Sequence, residues 1–549
     1  MQKVNPKTFF WLMWLGFIVL WVVISELHRP GMDKYGDMVE GYAWGQVWVW
    51  GTFKHPPFLA WVAKLWFSVF PVETWSYYLL SYLNAGVGAL GIVALGRLWL
   101  PPGLPARRKA LFSLLVLLFA LLGTPYSHLA AKYNADTILL SLWPWTAYAF
   151  FATLHSRTNR ERWLFTLLLG VLGAVSMLAK YYSGILLASF FAISVLEPTY
   201  RRWYRSYSPY LAFIVFFLVL MPHIVWEWRN DFPFSEYLFT KIDDRVRLDK
   251  VLSFYLSSIY YWIFAWGAFY LLRRMIGQST KQTIRWQIPW RALLLMIAMP
   301  AVITSLFHIF GRVYLTTHWA IPIWFALPIA LAMWLLPSVP LNFSLAKLAR
   351  CLALFAAVLF GVMTLYTLIL SATGSAKYTM AREEMVAAIE ARFHERYPDA
   401  ELTWSGGTWQ ETASLAFFMD SHPRAVPGFP AGDAAQVNPE EGWRDGYGVV
   451  LCHTLDDDGN PVAARRRVLW CQYSVMHELI RAGYPIIKET IRYQAQGWRY
   501  LQKPELEVVV FWAPPQPDLL HKPLEEGEKP LSLEPVEQIK NQKVGMDEN

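Results

Sequence analysis

Eleven apolar stretches, near 9–26, 75–97, 110–125, 136–154, 162–179, 183–196, 209–225, 251–272, 291–310, 319–337 and 351–371, follow one another along the first two thirds of the chain. Segments this apolar belong in lipid, where a backbone must satisfy its own polar groups and a helix is the simplest way to do so. The expected architecture is therefore an α-helical polytopic membrane protein of about eleven transmembrane helices, with span ends uncertain by several residues. Composition agrees, since 55% of the 549 residues are hydrophobic and 16% are charged. The N-terminus has a basic start and an apolar run, but that run reaches about Ser25 with bulky Trp and Val and no small-residue cleavage site, so a retained first helix is expected.

The net charge of +8 does not imply nucleic acid, because the cations fall in short clusters between apolar runs. Arg107, Arg108 and Lys109 form one such loop; Arg157, Arg160 and Arg162, then Arg201, Arg202 and Arg205, then Arg273 to Arg291, then Lys347 and Arg350 form the rest. By the positive-inside rule these face the cytoplasm, so segments 28–74, 126–135, 180–182, 226–250 and 311–318, with the tail after Ser371, face outward. Most of the unusual polar residues lie on that outward set: Asp33, Asp37, Glu40, His55, Asn134, Asp136, Lys180, Asn230, Asp231, Arg245 and His318. Ionisable groups at membrane depth are costly, so their gathering on one face points to a single site.

Composition changes after residue 371. Residues 372–520 read as a small α/β domain: "MVAAIEARFHERY" has helical periodicity, whereas "VVLCHT", "RVLWCQY" and "LEVVVFW" read as strands. Residues 521–549 are rich in Pro, Glu and Lys and are expected to be disordered. A hairpin joining the first two strands near residue 461 sets Cys452 opposite Cys471, which leaves a disulfide and a pair of buried thiols equally open. Cys351 reads as a packing residue, and no cysteines have zinc-ligand spacing.

Several short motifs then occur in order: Asp37 ahead of "KHPP" (54–57), "KYNADT" (132–137), "LAKYYSG" (178–184), "PHIVWEWRNDFPFSEYLFTKIDDR" (222–245), "THWAIP" (317–322) and "LTWSGGTWQETASLAFF" (402–418). Together they resemble the GT-C membrane glycosyltransferases, in particular the family 39 group related to protein mannosyltransferases and to the lipid A aminoarabinose transferase. The resemblance covers most of the membrane part and implies residues 1–371 as a GT-C catalytic domain and the tail as an outer domain. It also implies a glycosyltransferase that moves a sugar from a polyprenyl-phosphate donor to an acceptor hydroxyl or lipid phosphate on the outer face of the cytoplasmic membrane. Lipid A, another glycan or a protein remain open as acceptors.

Such a transfer needs a carboxylate base for the attacking hydroxyl and cations for the departing phosphate. Asp37 falls on the first member of the family's acidic pair, and Met38 replaces the second. Asp37 therefore reads as the base, against the alternative of capping a helix that starts near Val39; Glu40 reads as a second carboxylate or as a solvated helix face. Lys180, beside Tyr181, matches the family's lysine and reads as the phosphate ligand, against simple snorkelling to the interface. Arg245 offers a bidentate partner for the same phosphate or belongs to a solvated charge run. Asn134 and Asp136 orient a sugar or cap the fourth span. His55 donates to phosphate or pins its loop, Lys54 faces anionic headgroups or the donor, and His318 with Trp319 lines a lipid groove or joins an interfacial belt. With one carboxylate replaced and Lys54 where the family often has Asp, no metal ligands are assigned; a divalent cation stays open as a cofactor. A transporter or flippase of a lipid-linked sugar is the competing class, but it calls for internal repeats and midplane charges, which this chain lacks.

Overall fold

The computed structural model describes residues 5–29, 31–33, 35–52, 54–239, 242, 247–276, 283–340, 343–373, 381–407, 409–427, 445–453, 471, 472, 475, 476, 479, 480, 484–501 and 505–515. The chain divides into two compact units, one of residues 1–25, 50–59 and 77–359, the other of residues 26–49, 60–76 and 360–549. Arg245 lies outside the described residues.

The first unit is helical. Each of the eleven apolar runs carries helix, but among the described residues six helices are long and apolar enough to cross a bilayer, and seven if one bent pair is taken as a single span. The rest are short or broken. The expected span 251–272 is two helices, Leu248–Tyr261 and Ile263–Ile276, separated at Trp262. The expected span 319–337 is a 3₁₀ turn (Thr317–Ala320), a short helix (Leu327–Leu335) and a second 3₁₀ turn (Leu336–Ser338). Helix Asn159–Ala179 begins with a capping box between Thr158 and Glu161 and ends at Lys180, whose extended backbone (φ −163°, ψ 130°) starts the 3₁₀ turn Tyr181–Ser183. The following helix, Gly184–Leu196, completes a segment that turns by 105° into Pro198–Arg205. Helices Asn159–Ala179 and Ser208–Arg229 pack closely because residue 170 is glycine: a Cβ there would lie 2.7 Å from the Ala212 carbonyl oxygen.

The second unit contains a five-stranded mixed sheet of β1 (Leu402–Gly407), β2 (Arg424–Pro427), β3 (Tyr447–His453), β4 (Ile487–Gln494) and β5 (Glu505–Ala513), in the order β2-β1-β3-β5-β4. β1 runs parallel to β2 and β3, and β5 runs antiparallel to β3 and β4. The parallel β1–β2 step is bridged by helix Trp409–Phe418. β5 is apolar at nearly every position because both its faces are covered. Val508, Val510 and Trp512 pack with Met385, Ile389 and Phe393 of helix Arg382–Arg396, while Val509 and Phe511 pack with Trp404 and Cys452.

The expected helix over "MVAAIEARFHERY" and the strands over "VVLCHT" and "LEVVVFW" are present. "RVLWCQY" is different: residues 471 and 472 are helical, and 461–470 fall outside the described residues. The hairpin is therefore replaced, with β1 and β5 as the neighbours of β3. Cys452 and Cys471 nonetheless form a disulfide, with Cα atoms 5.8 Å apart and both residues buried.

Candidate functional site

The predicted site residues fall in both units. Asp37 and Glu40 belong to the second, in the short helix Asp37–Gly45; Lys54, His55, Asn134, Asp136, Lys180, Tyr181 and His318 belong to the first.

In the second unit, the helix start is capped by Asp33 rather than Asp37. One Asp33 carboxylate oxygen accepts the backbone N–H groups of Tyr35 and Asp37, each at 3.1 Å, and the other accepts that of Met38 at 3.0 Å. This corrects the capping alternative for Asp37, whose half-buried carboxylate stands in the first helical turn. The preceding loop turns at Gly36 (φ 70°), and the buried Arg382 guanidinium donates to the carbonyls of Gly31 (2.7 Å) and Asp33. Glu40 is buried and accepts the indole N–H of Trp409, so it is not a solvated face residue. Asp37 and Glu40 stand three residues apart, a spacing that puts both carboxylates toward one side of the helix.

At the other end of this helix, Gln46 uses its whole amide. Its NH₂ donates to the carbonyls of His422 (3.3 Å) and Pro423 (3.0 Å), and its oxygen accepts the N–H of Ala425 at 3.0 Å. The Tyr42 phenol, enclosed by Phe67 and Phe417, is pushed by burial up to about 12 and stays neutral at physiological pH.

In the first unit, the side-chain oxygen of Asn134 accepts the backbone N–H groups of Asp136 and Thr137, each at 3.1 Å, and so shapes the turn. Asp136 is then available to pair with Lys180. Its carboxylate accepts a hydrogen bond from the Lys180 ammonium, and both side chains are 13% exposed. The Trp319 ring lies 6.0 Å from that ammonium, and Trp319 also packs on Tyr182 at 5.1 Å. Lys180 is thus enclosed rather than reaching outward, although His318, next to Trp319, is exposed.

Tyr181, already a candidate, joins two residues that the sequence reading missed, His223 and Glu227. Its hydroxyl is 2.7 Å from the Glu227 carboxylate and 2.5 Å from Nε2 of His223, whose Nδ1 is 2.6 Å from the Trp50 carbonyl. Because a carbonyl can only accept, Nδ1 carries a proton. Satisfying both remaining bonds requires two more protons along Nε2, the Tyr181 oxygen and the Glu227 oxygen. The trio is therefore an imidazolium–carboxylate pair bridged by the phenol, or its neutral tautomer. It can hand a proton from one end to the other without changing its charge. The signal was a His and a Glu four residues apart on an apolar helix.

The Lys54–His55 loop closes on Thr52, which accepts the N–H of His55 through its hydroxyl oxygen (2.9 Å) while its own backbone N–H donates to the His55 carbonyl (3.0 Å). Among the described residues no three His, Cys, Asp or Glu side chains converge as a metal set.

Residues 54–226 match the dolichyl-phosphate-mannose-protein mannosyltransferase family model. No curated protein sequence matches the chain. Among solved structures, ArnT from Cupriavidus metallidurans bound to undecaprenyl phosphate is similar at 15% identity, covering 93% of this chain and 98% of that one, with a TM-score of 0.51. The same protein in its apo state gives 14% identity, the same coverage and 0.48. An oligosaccharyltransferase from Archaeoglobus fulgidus gives 11%, 80% of this chain, 67% of that one and 0.37. The chain is a multi-pass membrane protein with the ArnT-like GT-C fold and a C-terminal sheet region.

Proposed function

We propose that the protein transfers a sugar from a polyprenyl-phosphate donor to a hydroxyl or lipid-phosphate acceptor at the outer face of the cytoplasmic membrane. An acceptor oxygen attacks the anomeric carbon, its proton passes to Asp37, and the bond from that carbon to the donor phosphate breaks, releasing polyprenyl phosphate. Lys180 binds that phosphate, since a cation there gains most as negative charge develops on the leaving group. Asp136 holds the ammonium until the donor arrives. Tyr181, Asn134, Lys54, His55, Arg245 and His318 are proposed donor or acceptor contacts, and Glu40 supports the Asp37 helix.

The observation that carries this reading is the enclosed Lys180 ammonium at a helix break, flanked by Asp136 and Trp319. An enclosed cation beside a ring face, held by a single carboxylate, suits an anionic headgroup that can take the place of that carboxylate. The Cys452–Cys471 disulfide supports placing residues 372–520 in an oxidising, extracytoplasmic compartment. The test is to reconstitute the protein in vesicles with polyprenyl-phosphate sugars and candidate acceptors. Asp37→Asn is expected to abolish turnover while leaving the fold intact, and Lys180→Ala to raise the donor KM at least tenfold. Full turnover by a folded Asp37→Asn protein removes Asp37 as the base, and absence of transfer to any acceptor overturns the reading. Turnover after chelation decides the divalent cation.

A further inference from the structure

The second unit contains an open cleft of about 680 Å³, distinct in its lining from the Asp37 and Glu40 positions. Its walls come from helix Asp37–Gly45 and the residues after it (Tyr42, Gln46, Trp48), from helix Phe58–Phe67 and its C-terminal turn (Lys64, Phe67, Ser68), and from the sheet and the loop leading into β2 (Thr403, His422, Arg424). Two of the described lining side chains, Lys64 and Arg424, carry a positive charge. Among the described lining residues there is no carboxylate, and Glu390, which interacts electrostatically with His422 and Asp420, does not line the cleft. A concave surface with one sign of charge concentrates counter-ions.

The lining is held in place. Lys64 is half-buried, donates to the Gln46 carbonyl at 3.0 Å and lies 5.7 Å from the Trp48 ring. His422 has a left-handed backbone (φ 45°), an uncommon state for a side chain with a Cβ, and the Gln46 amide holds its carbonyl. Backbone strain of this kind persists where the surroundings impose it and gathers at functional positions. Trp48, which is exposed, supplies a ring face of the sort that packs on sugars, while Tyr42 is buried against Phe67 and Phe417 and keeps its phenolic proton. On one flank Trp48, Leu65 and Val69 are large, apolar and exposed, and helix Phe58–Phe67 carries this apolar edge alongside Lys64.

Two cations, an exposed ring face and an apolar flank together describe an amphiphile. We propose that the cleft binds the phosphorylated sugar headgroup of the acceptor lipid, with Lys64 and Arg424 on the phosphate and the acyl part over Trp48, Leu65 and Val69. The acceptor assignment rests on the function proposed above; the anion site does not. Asp37 and Gly45 are the two ends of one helix, roughly 12 Å apart at 1.5 Å per residue. The cleft therefore anchors the acceptor one oligosaccharide headgroup away from the reacting hydroxyl.

The test measures binding by full-length protein in phosphatidylcholine nanodiscs, without donor, using native mass spectrometry. The probes are an acylated glucosamine disaccharide bearing a phosphate, its dephosphorylated form, and phosphatidylglycerol. Expected results are retention of the phosphorylated probe and at least tenfold weaker retention in Arg424→Gln. Ser68→Asp, which adds an anion at an exposed lining position without removing a buried contact, is expected to weaken it equally. Equal binding of the dephosphorylated probe, or wild-type retention by both variants, overturns the anion site. Equal binding of phosphatidylglycerol overturns the acceptor assignment and leaves a general anionic-lipid site. If the phosphorylated probe binds as expected but no acceptor is ever glycosylated, the transferase reading fails and the cleft stands.

Discussion

Lys180 is the residue at which a helix stops, and its side chain was readable as special because a lysine ends an apolar run within a Lys-Tyr-Tyr-Ser context. Its partner was half-readable: Asn134 and Asp136 were interchangeable in sequence, and only hydrogen bonding separates the one that shapes the turn from the one that pairs. The Tyr181–His223–Glu227 trio stayed hidden because His223 and Glu227 sit among Trp residues near the end of a span, where polar groups read as interfacial. Asp33 took the capping role weighed as the alternative for Asp37 because a helix start two residues earlier moves every cap position, and sequence does not fix starts so finely. For the trio, His223→Gln keeps a donor for the Trp50 carbonyl but cannot carry the second proton. It is expected to lower kcat more than tenfold with donor KM within threefold. An unchanged kcat, or a KM that rises as kcat falls, marks the trio as merely structural.

At the scale of elements, apolar runs located the helices but not their integrity. A run such as 251–272 stays apolar through Trp262, so nothing in its hydropathy marks the break. β4 was missed for the opposite reason. "IKETIRYQ" alternates, yet Glu489 interrupts the face of Ile487, Ile491 and Tyr493, and Lys488 and Arg492 on the exposed face keep the whole run polar, as suits a strand at the sheet edge that must resist pairing with other chains. Helix contacts are also set by what is absent, and Gly170 is the clearest instance. Gly170→Val places a branched side chain against the Ala212 backbone and Val215, and overpacking of this kind costs about 1–3 kcal/mol. A lower unfolding temperature in detergent is expected, with activity per folded molecule retained; an unchanged transition denies the close packing.

For the whole molecule, hydropathy divided the chain near residue 371, while contacts assemble the second unit from three separate stretches. The cause lies in individual bonds no periodicity encodes: Arg382 to Gly31, Trp409 to Glu40, Gln46 to residues 422–425. Such contacts join residues more than 300 positions apart and have no local signature. Within that unit, the disulfide closes a separation of 19 residues, worth about 3 kcal/mol by loop-closure entropy. Reductant, or the Cys452→Ser and Cys471→Ser pair, is therefore expected to lower the thermal transition of the intact protein by several degrees. Alkylation without reductant should modify Cys351, which is exposed and free, and spare the other two; labelling of all three means the bridge does not form.

Gln46 commits both ends of its amide, two donated bonds and one accepted, to the segment leading into β2. The helix that carries Asp37 at one tip is thereby locked in register with His422 and Arg424 at the other. Two points held at a constant interval behave as a gauge, so candidate acceptors will be sorted by the length between their anionic group and their reactive oxygen, and those too short or too long will be turned away however well each end fits on its own.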